Sequence, residues 1–169
     1  MSLAMPEAII LNYQLTKELW RRFFEAHYGC DRSLKWRYLW GVTCIVSGAL
    51  GFGGFYASPI IAGLLMATGF FGVLSKQILV LKSLRGACRH PFLGKELTVA
   101  FSPETILVRS GKEGYSQPWD NFVGYRRLEP GFLLYHDPHS FFFIPATAMT
   151  AGHAKRMEQI LDAAKVPKL

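Results

Sequence analysis

The sequence predicts an α+β membrane protein, with a two-helix transmembrane hairpin followed by a C-terminal antiparallel β-meander closed by one helix. Three observations carry that prediction. Residues 38–75 run thirty-eight positions without a charge. From residue 95 the texture changes to short β-prone runs punctuated by Pro, Gly, Ser and Asp. Between the two lies a segment that is basic and holds no acid.

The uncharged run reads YLWGVTCIVSGALGFGGFY, bends at Ala57, Ser58 and Pro59, and continues IIAGLLMATGFFGVLS. A bilayer core about 30 Å thick takes roughly 20 apolar residues at about 1.5 Å of helical rise each. The run suits two spans and is too long for one, so residues 38–55 are read as going out and 59–81 as coming back. Helices buried in a soluble core show polar residues at a helical period. Here the small polar side chains are Thr43, Ser47, Ser58, Thr68 and Ser75, hydroxyls able to bond back to their own helix. Ser47 with Gly51 and Ala49 with Gly53 set small residues four apart, which permits close packing within the hairpin and also homodimerisation.

The formal charge of +7 is unevenly spread. Residues 1–37 hold six Lys or Arg against four acids, 76–95 hold five bases and no acid, and from 96 onward eight bases meet eight acids. The excess therefore lies beside the apolar run. A nucleic-acid partner would want its basic stripe on the folded domain, so that class is set aside. Lys35 and Arg37 precede the first span, Lys76, Lys82, Arg85 and Arg89 attend the second, and the bend carries no charge. The bias of cations toward the inner face predicts a multi-pass protein with both termini cytoplasmic. Those six cations are the candidate contacts for anionic headgroups. Trp36, Tyr38 and Trp40 would form an inner interfacial belt, and Phe55 and Tyr56 an outer one. The charged segment ahead of the first span suits an uncleaved anchor better than a cleaved leader. Cys30, Cys44 and Cys88 are odd in number and widely spaced, which suits reduced thiols rather than a disulfide framework.

Three parts follow: 1–35 as a strand and amphipathic helix, 36–82 as the hairpin, and 83–169 as a cytoplasmic β-domain. Residues 8–15 (AIILNYQL) alternate, with Ile9, Leu11, Tyr13 and Leu15 on one face and Asn12 and Gln14 on the other. Thr16 offers a cap and Glu18 sits in the first turn of a helix over 17–28, ended by Gly29. Strands are expected at 95–101, 105–109, 115–119, 122–128, 132–136 and 141–145, separated by turn residues. A helix over 150–164, capped by Thr150, would cover one sheet face with Met157, Ile160, Leu161 and Ala164.

No catalytic, cofactor or metal constellation assembles. His136, Asp137 and His139 read as a hairpin tip fixed by Pro138. Asp120 reads as a turn residue, and Glu129 as an exposed ion-pair partner of Arg126 or Arg127. The Gly51, Gly53, Gly54 cluster lies within the apolar run and precedes no phosphate-cradling helix. Trp119 is expected to plug the β-domain core. In the run Phe141, Phe142, Phe143 alternate rings face outward, so Phe141 and Phe143 mark a candidate interaction surface to be covered by the N-terminal piece, the membrane or a partner.

Three stretches resemble the bacterial YcxB-like protein family. They are Tyr13-Gln-Leu15-Thr16-Lys-Glu18, Trp119-Asp120-Asn-Phe122, and Ile144-Pro145-Ala-Thr-Ala148-Met149. The resemblance implies two spans and a pleckstrin-homology-like C-terminal domain in a bacterial cytoplasmic membrane. It also implies that the N-terminal strand joins the C-terminal sheet as a seventh strand. The family often has basic residues after the isoleucine-proline turn, where this chain has the neutral Ala146 and Thr147. The resemblance brings no catalytic residue and no ligand. The function expected is a membrane-anchored interaction or scaffolding protein for an unidentified protein partner or anionic headgroups. The alternative is a small membrane enzyme or an accessory subunit of one.

Overall fold

The computed structural model describes residues 8–55, 58–89, 91–138 and 140–169, and the chain divides into two compact units. One comprises Met1–Phe23 with Ala87–Leu169; the other is Phe24–Gly86. The N-terminal strand and the start of the first helix therefore belong with the β-domain rather than forming a separate piece.

In the β-unit, β1 (Ile9–Gln14) pairs antiparallel with β2 (Glu96–Phe101), from Ile9 opposite Phe101 to Gln14 opposite Glu96. The seventh strand joins as expected. Its alternation explains why: Ile9 and Leu11 are buried, while Ile10 and Asn12 face out. β3 (Thr105–Ser110) and β4 (Glu113–Pro118) complete a four-stranded sheet in the order β1-β2-β3-β4. β5 (Gly124–Leu128), β6 (Gly131–Asp137) and β7 (Ser140–Pro145) form a second, three-stranded sheet. The single meander expected from the sequence is thus broken in two. The break falls where β4 ends at Pro118, which has no N–H to extend a ladder. A tight turn at Trp119–Asn121 follows.

That turn sends Trp119 inward. Its ring is 4% exposed, lies 6.4 Å from Phe101 and 5.9 Å from Phe122, and its Nε1–H donates to the Ser102 carbonyl at 2.9 Å. The core plug expected of Trp119 is what the structure contains. α4 (Ala151–Ala163) adds Met157, Ile160 and Leu161, all fully buried in the same core. Each large apolar side chain so buried contributes roughly 1.5–3 kcal/mol. Thr150 holds the predicted cap position, its N–H donating to His153 Nδ1 at 3.4 Å.

α1 (Lys17–Cys30) starts as expected, with the Leu19 N–H bound to Thr16 Oγ1 at 3.2 Å, and the division between units falls inside it. In the helical unit, Asp31 caps α2 (Arg32–Leu50) by accepting the Ser33 N–H at 2.8 Å. α2 therefore begins ahead of the uncharged run and carries Arg32, Lys35 and Arg37 in its first two turns. It ends in a kink over Gly51–Phe55, where Gly54 takes φ = 96°. α3 (Pro59–Ala87) is the one helix among the described residues long and apolar enough to cross a membrane. Tyr56, Ala57 and the side chain of Phe55, on which the bend and outer belt were drawn, lie outside the described residues.

α2 and α3 touch backbone to backbone. A Cβ on Gly41 would stand 2.8 Å from the Gly69 carbonyl, and one on Gly48 2.7 Å from the Ala62 carbonyl. A Cβ on Gly72 would meet the Arg37 carbonyl at 2.9 Å, which puts those two residues level. The seam is built from Gly41 and Gly48 facing Ala62, Gly69 and Gly72. Of the small-residue pairs expected, Ala49 and Gly53 are exposed and lie off the seam, while Gly51 is buried and Ser47 half-buried. Seven-residue spacing keeps one stripe facing a partner helix, and that spacing selects Leu34, Gly41 and Gly48, all buried.

Replacing Gly69 with Val should cost at least about 2 kcal/mol, because the added carbons fall on the backbone of α2. Gly63→Val, whose Cβ would meet only the tip of Phe52 at 4.0 Å, should be near neutral. Thermal unfolding in detergent micelles distinguishes the two; equal midpoints would contradict the seam.

Candidate functional site

Two features carry chemistry, one in each unit. In the helical unit the outward face of α3 is apolar over most of its length. Ile60, Leu64, Phe71, Leu74, Ile78 and Leu81 follow one another at helical spacing and are all exposed, Ile60 by 73% and Phe71 by 67%. From Ile60 to Leu81 the stripe rises about 32 Å at about 1.5 Å per residue. Lys82 and Arg85 continue it on the same face, both exposed. On α2, Trp36, Leu39, Val46 and Leu50 form a second exposed stripe, with Tyr38 and Trp40 beside it.

The six candidate headgroup contacts do not share one environment. Lys35, Arg37, Lys82 and Arg85 are exposed on α2 and α3, and Arg89 is exposed on the connector beyond α3. Lys76 is half-buried. Its Nζ lies 3.6 Å from where a Cβ on Gly29 would stand, against the last turn of α1, where unpaired carbonyls attract a cation. Close by, the Tyr28 and Ser83 hydroxyls are 2.7 Å apart, joining α1 to α3.

In the β-unit the aromatic run of β7 lines a slot of about 180 Å³. Tyr13, opposite Leu97, and Tyr115, opposite Val108, form its floor, with Trp20, Phe92 and His136 around it. Phe143 is 3% exposed, stacked on Phe23 at 4.4 Å and met edge-on by Trp20 at 4.6 Å. The candidate surface at Phe143 is therefore covered from within the chain by α1, because the ring completes the core on that side. Phe141 is half-buried, 5.9 Å from Tyr135. The Tyr13 hydroxyl donates to the Phe143 carbonyl at 3.0 Å. Burial pushes the Tyr13 phenol well above its usual range, and the neighbouring Tyr115 adds to the shift. Burial raises Tyr115 as well.

The remaining candidates stay apart. His136 Nδ1 lies 3.1 Å from the Asn121 carbonyl, so that nitrogen carries the proton, and the ring stacks on Phe122 at 4.3 Å. Asp137 accepts the Ser140 N–H at 2.8 Å, as a hairpin tip requires, while His139 lies outside the described residues. Asp120 is exposed on its turn. Arg127 finds its partner in Glu158 of α4, at 3.3 Å, and not in the adjacent turn. Among the described residues no three His, Cys, Asp or Glu side chains converge as a metal site would require. Sequence reasoning missed the slot. The alternation of residues 8–15 does put Tyr13 on the inward face, but nothing in the sequence brings Tyr115 to it.

The family model described as YcxB-like protein matches residues 101–161, which run from the end of β2 into α4 and include Trp119 and the isoleucine-proline turn. Comparison with curated proteins and with solved structures finds no match.

A phenol whose folded pKa is raised contributes stability that is fully present below its unfolded value, near 10.0, and is lost as pH climbs through the folded value. The β-unit should therefore weaken above about pH 10. Tyr13→Phe should cost about 0.5–1.5 kcal/mol at neutral pH through the lost hydrogen bond. It should also flatten the alkaline decline. Denaturant unfolding at about pH 8 and about pH 11 reads both effects, and an unchanged slope in the variant would exclude Tyr13 as the cause.

Proposed function

We propose that this chain is a membrane-anchored interaction module. Its helical unit spans a bacterial cytoplasmic membrane as a two-helix hairpin, and its β-unit, a pleckstrin-homology-like domain, meets protein partners and anionic headgroups in the cytoplasm. The observation that carries the reading is the exposed stripe of α3. Its length of about 32 Å matches a hydrocarbon core of about 30 Å, and it ends at Lys82 and Arg85. A water-facing stripe of that length would be an aggregation liability, since large exposed apolar patches mark interaction surfaces. Lipid satisfies it from Ile60 to about Leu74 and the headgroup layer the remainder, since Arg37 of α2 stands level with Gly72.

α2 supports the second span. Its exposed apolar face runs antiparallel to α3 across the glycine seam, and the cations at Lys35 and Arg37 stand level with the end of the uncharged run of α3. Long basic side chains at that depth extend to the headgroups while their stems stay in apolar surroundings. Trp36 and Trp40, exposed at the same end, suit the interfacial layer. The pleckstrin-homology-like reading is supported by the four- and three-stranded antiparallel sheets with one closing helix.

Replacing Cys30, Cys44 and Cys88 by Ser and introducing Ala57→Cys gives a single thiol at the bend. A membrane-impermeant maleimide applied to intact cells should label it, whereas a lone Cys88 should react only after permeabilisation. A shielded Ala57→Cys, or a chain that stays monodisperse in buffer without detergent, would remove the membrane reading. The triple replacement of Lys82, Arg85 and Arg89 by Gln should lower the anionic lipid retained per protein in mild detergent. About 1 kcal/mol rides on each cation.

A further inference from the structure

Along the outer side of β5 the chain lays its own residues 166–169 as an added strand. The Tyr125 N–H donates to the Pro167 carbonyl at 2.8 Å and the Leu169 N–H to the Tyr125 carbonyl at 2.9 Å, with Lys168 bridged in parallel to Tyr125. Gly124 makes the room. A Cβ there would fall 2.6 Å from the Leu169 side chain, so the seat presents bare backbone to an aliphatic group.

Val166 is fixed, buried in the core with its N–H donating to the Leu161 carbonyl at 3.0 Å, whereas residues 167–169 beyond it are held by those two bonds and an exposed contact of Lys168 Nζ with Glu158 at 4.0 Å. Pro167 has no N–H and so donates no bond to β5. Leu169 remains 55% exposed. Lys165 turns the chain out of α4 at φ = 56°, a left-handed conformation that residues with a side chain adopt at a cost. A groove of about 770 Å³ starts beside Lys168 and passes Arg127, Leu128 and Phe132 toward Met149 and Ala154 at the start of α4.

We infer that the outer edge of β5 is a strand-addition site for an extended peptide of a protein partner, and that residues 167–169 sit on it as a displaceable intramolecular occupant. The peptide runs parallel to β5, places an aliphatic side chain over Gly124 and continues along the groove. Main-chain hydrogen bonds supply affinity in such sites, and pockets for alternate side chains supply selectivity. The seated segment is itself the evidence for the chemistry that fits. Because it is tethered, it competes at an effective concentration of about millimolar. A partner therefore binds the intact chain more weakly than one relieved of the segment. This deepens the interaction-module reading and depends on it only for the existence of a protein partner.

The test uses the whole chain in detergent micelles and, as probe, the fluorescein-labelled peptide Val-Pro-Lys-Leu-Thr-Val-Thr-Val. Three forms are compared: the intact chain, a chain lacking residues 167–169 that keeps the buried Val166, and that shortened chain with Gly124→Ala. The shortened chain should bind the probe at least about ten-fold more tightly than the intact one, and Gly124→Ala should abolish the gain. In the intact chain, hydrogen exchange at the Tyr125 and Leu169 amides should run at least about a hundred-fold faster than in β6, as opening of a weakly held edge requires. Equal probe binding by intact and shortened chains, or a Tyr125 amide as protected as β6, overturns the inference. Should the shortened chain fail to fold, the exchange measurement on the intact chain decides alone. A chain that proves soluble without detergent is assayed the same way in plain buffer, so failure of the membrane reading and failure of this one are told apart.

Discussion

Backbone contact between α2 and α3 is the constraint on which the rest depends. Gly41, Gly48, Gly69 and Gly72 give up side chains so that two helices can run antiparallel with carbonyls of one against Cα atoms of the other. Packing of this closeness supplies attraction of its own, through many short van der Waals contacts. Within the β-unit, β2 pairs with a strand laid down before the helices began. Closing a long loop costs little more than closing a short one when its length merely doubles. A rigid helical pair lowers that cost further by leaving few loop conformations to lose.

The β-unit solves a different problem with the same economy of space. Its sheets part at Pro118, and Trp119 fills the corner that opens, hydrogen-bonded at its one polar atom. α1 then covers the flank of β7 through Phe23 and Trp20. An aromatic run that looks sticky in sequence becomes the joint between an N-terminal helix and a C-terminal sheet. Where the joint is incomplete, the slot under Tyr13 and Tyr115 remains.

Much of this was legible in the residues, and the physical reasons are particular. Strands were found because alternation with one buried side has a period that sequence displays, as in Ile9 and Leu11 against Ile10 and Asn12. Trp119 was assigned to the core because a large aromatic beside turn residues has nowhere else to go. The pair Ala49 and Gly53 was misplaced because fourfold spacing of small residues looks like a packing motif, while the contact actually formed repeats every seven residues. Phe143 was marked as surface because alternation says which faces differ but not what lies over them; only long-range packing with Phe23 decides that. The strand added beside Tyr125 left no signal at all. A two-bond ladder ending at Pro167 has neither the length nor the alternation that sequence reading uses.

Placing the first strand ahead of the helices and its partner behind them also sets a timetable. Gln14 waits for Glu96, which emerges from the ribosome after a further 82 residues. At about 5–20 residues per second that is roughly 4 to 16 s. Throughout that interval Ile9 and Leu11 have no sheet to enter. The four-stranded sheet can close only after α2 and α3 have been made, so a chain halted among them leaves an unfinished sheet for proteases to recognise.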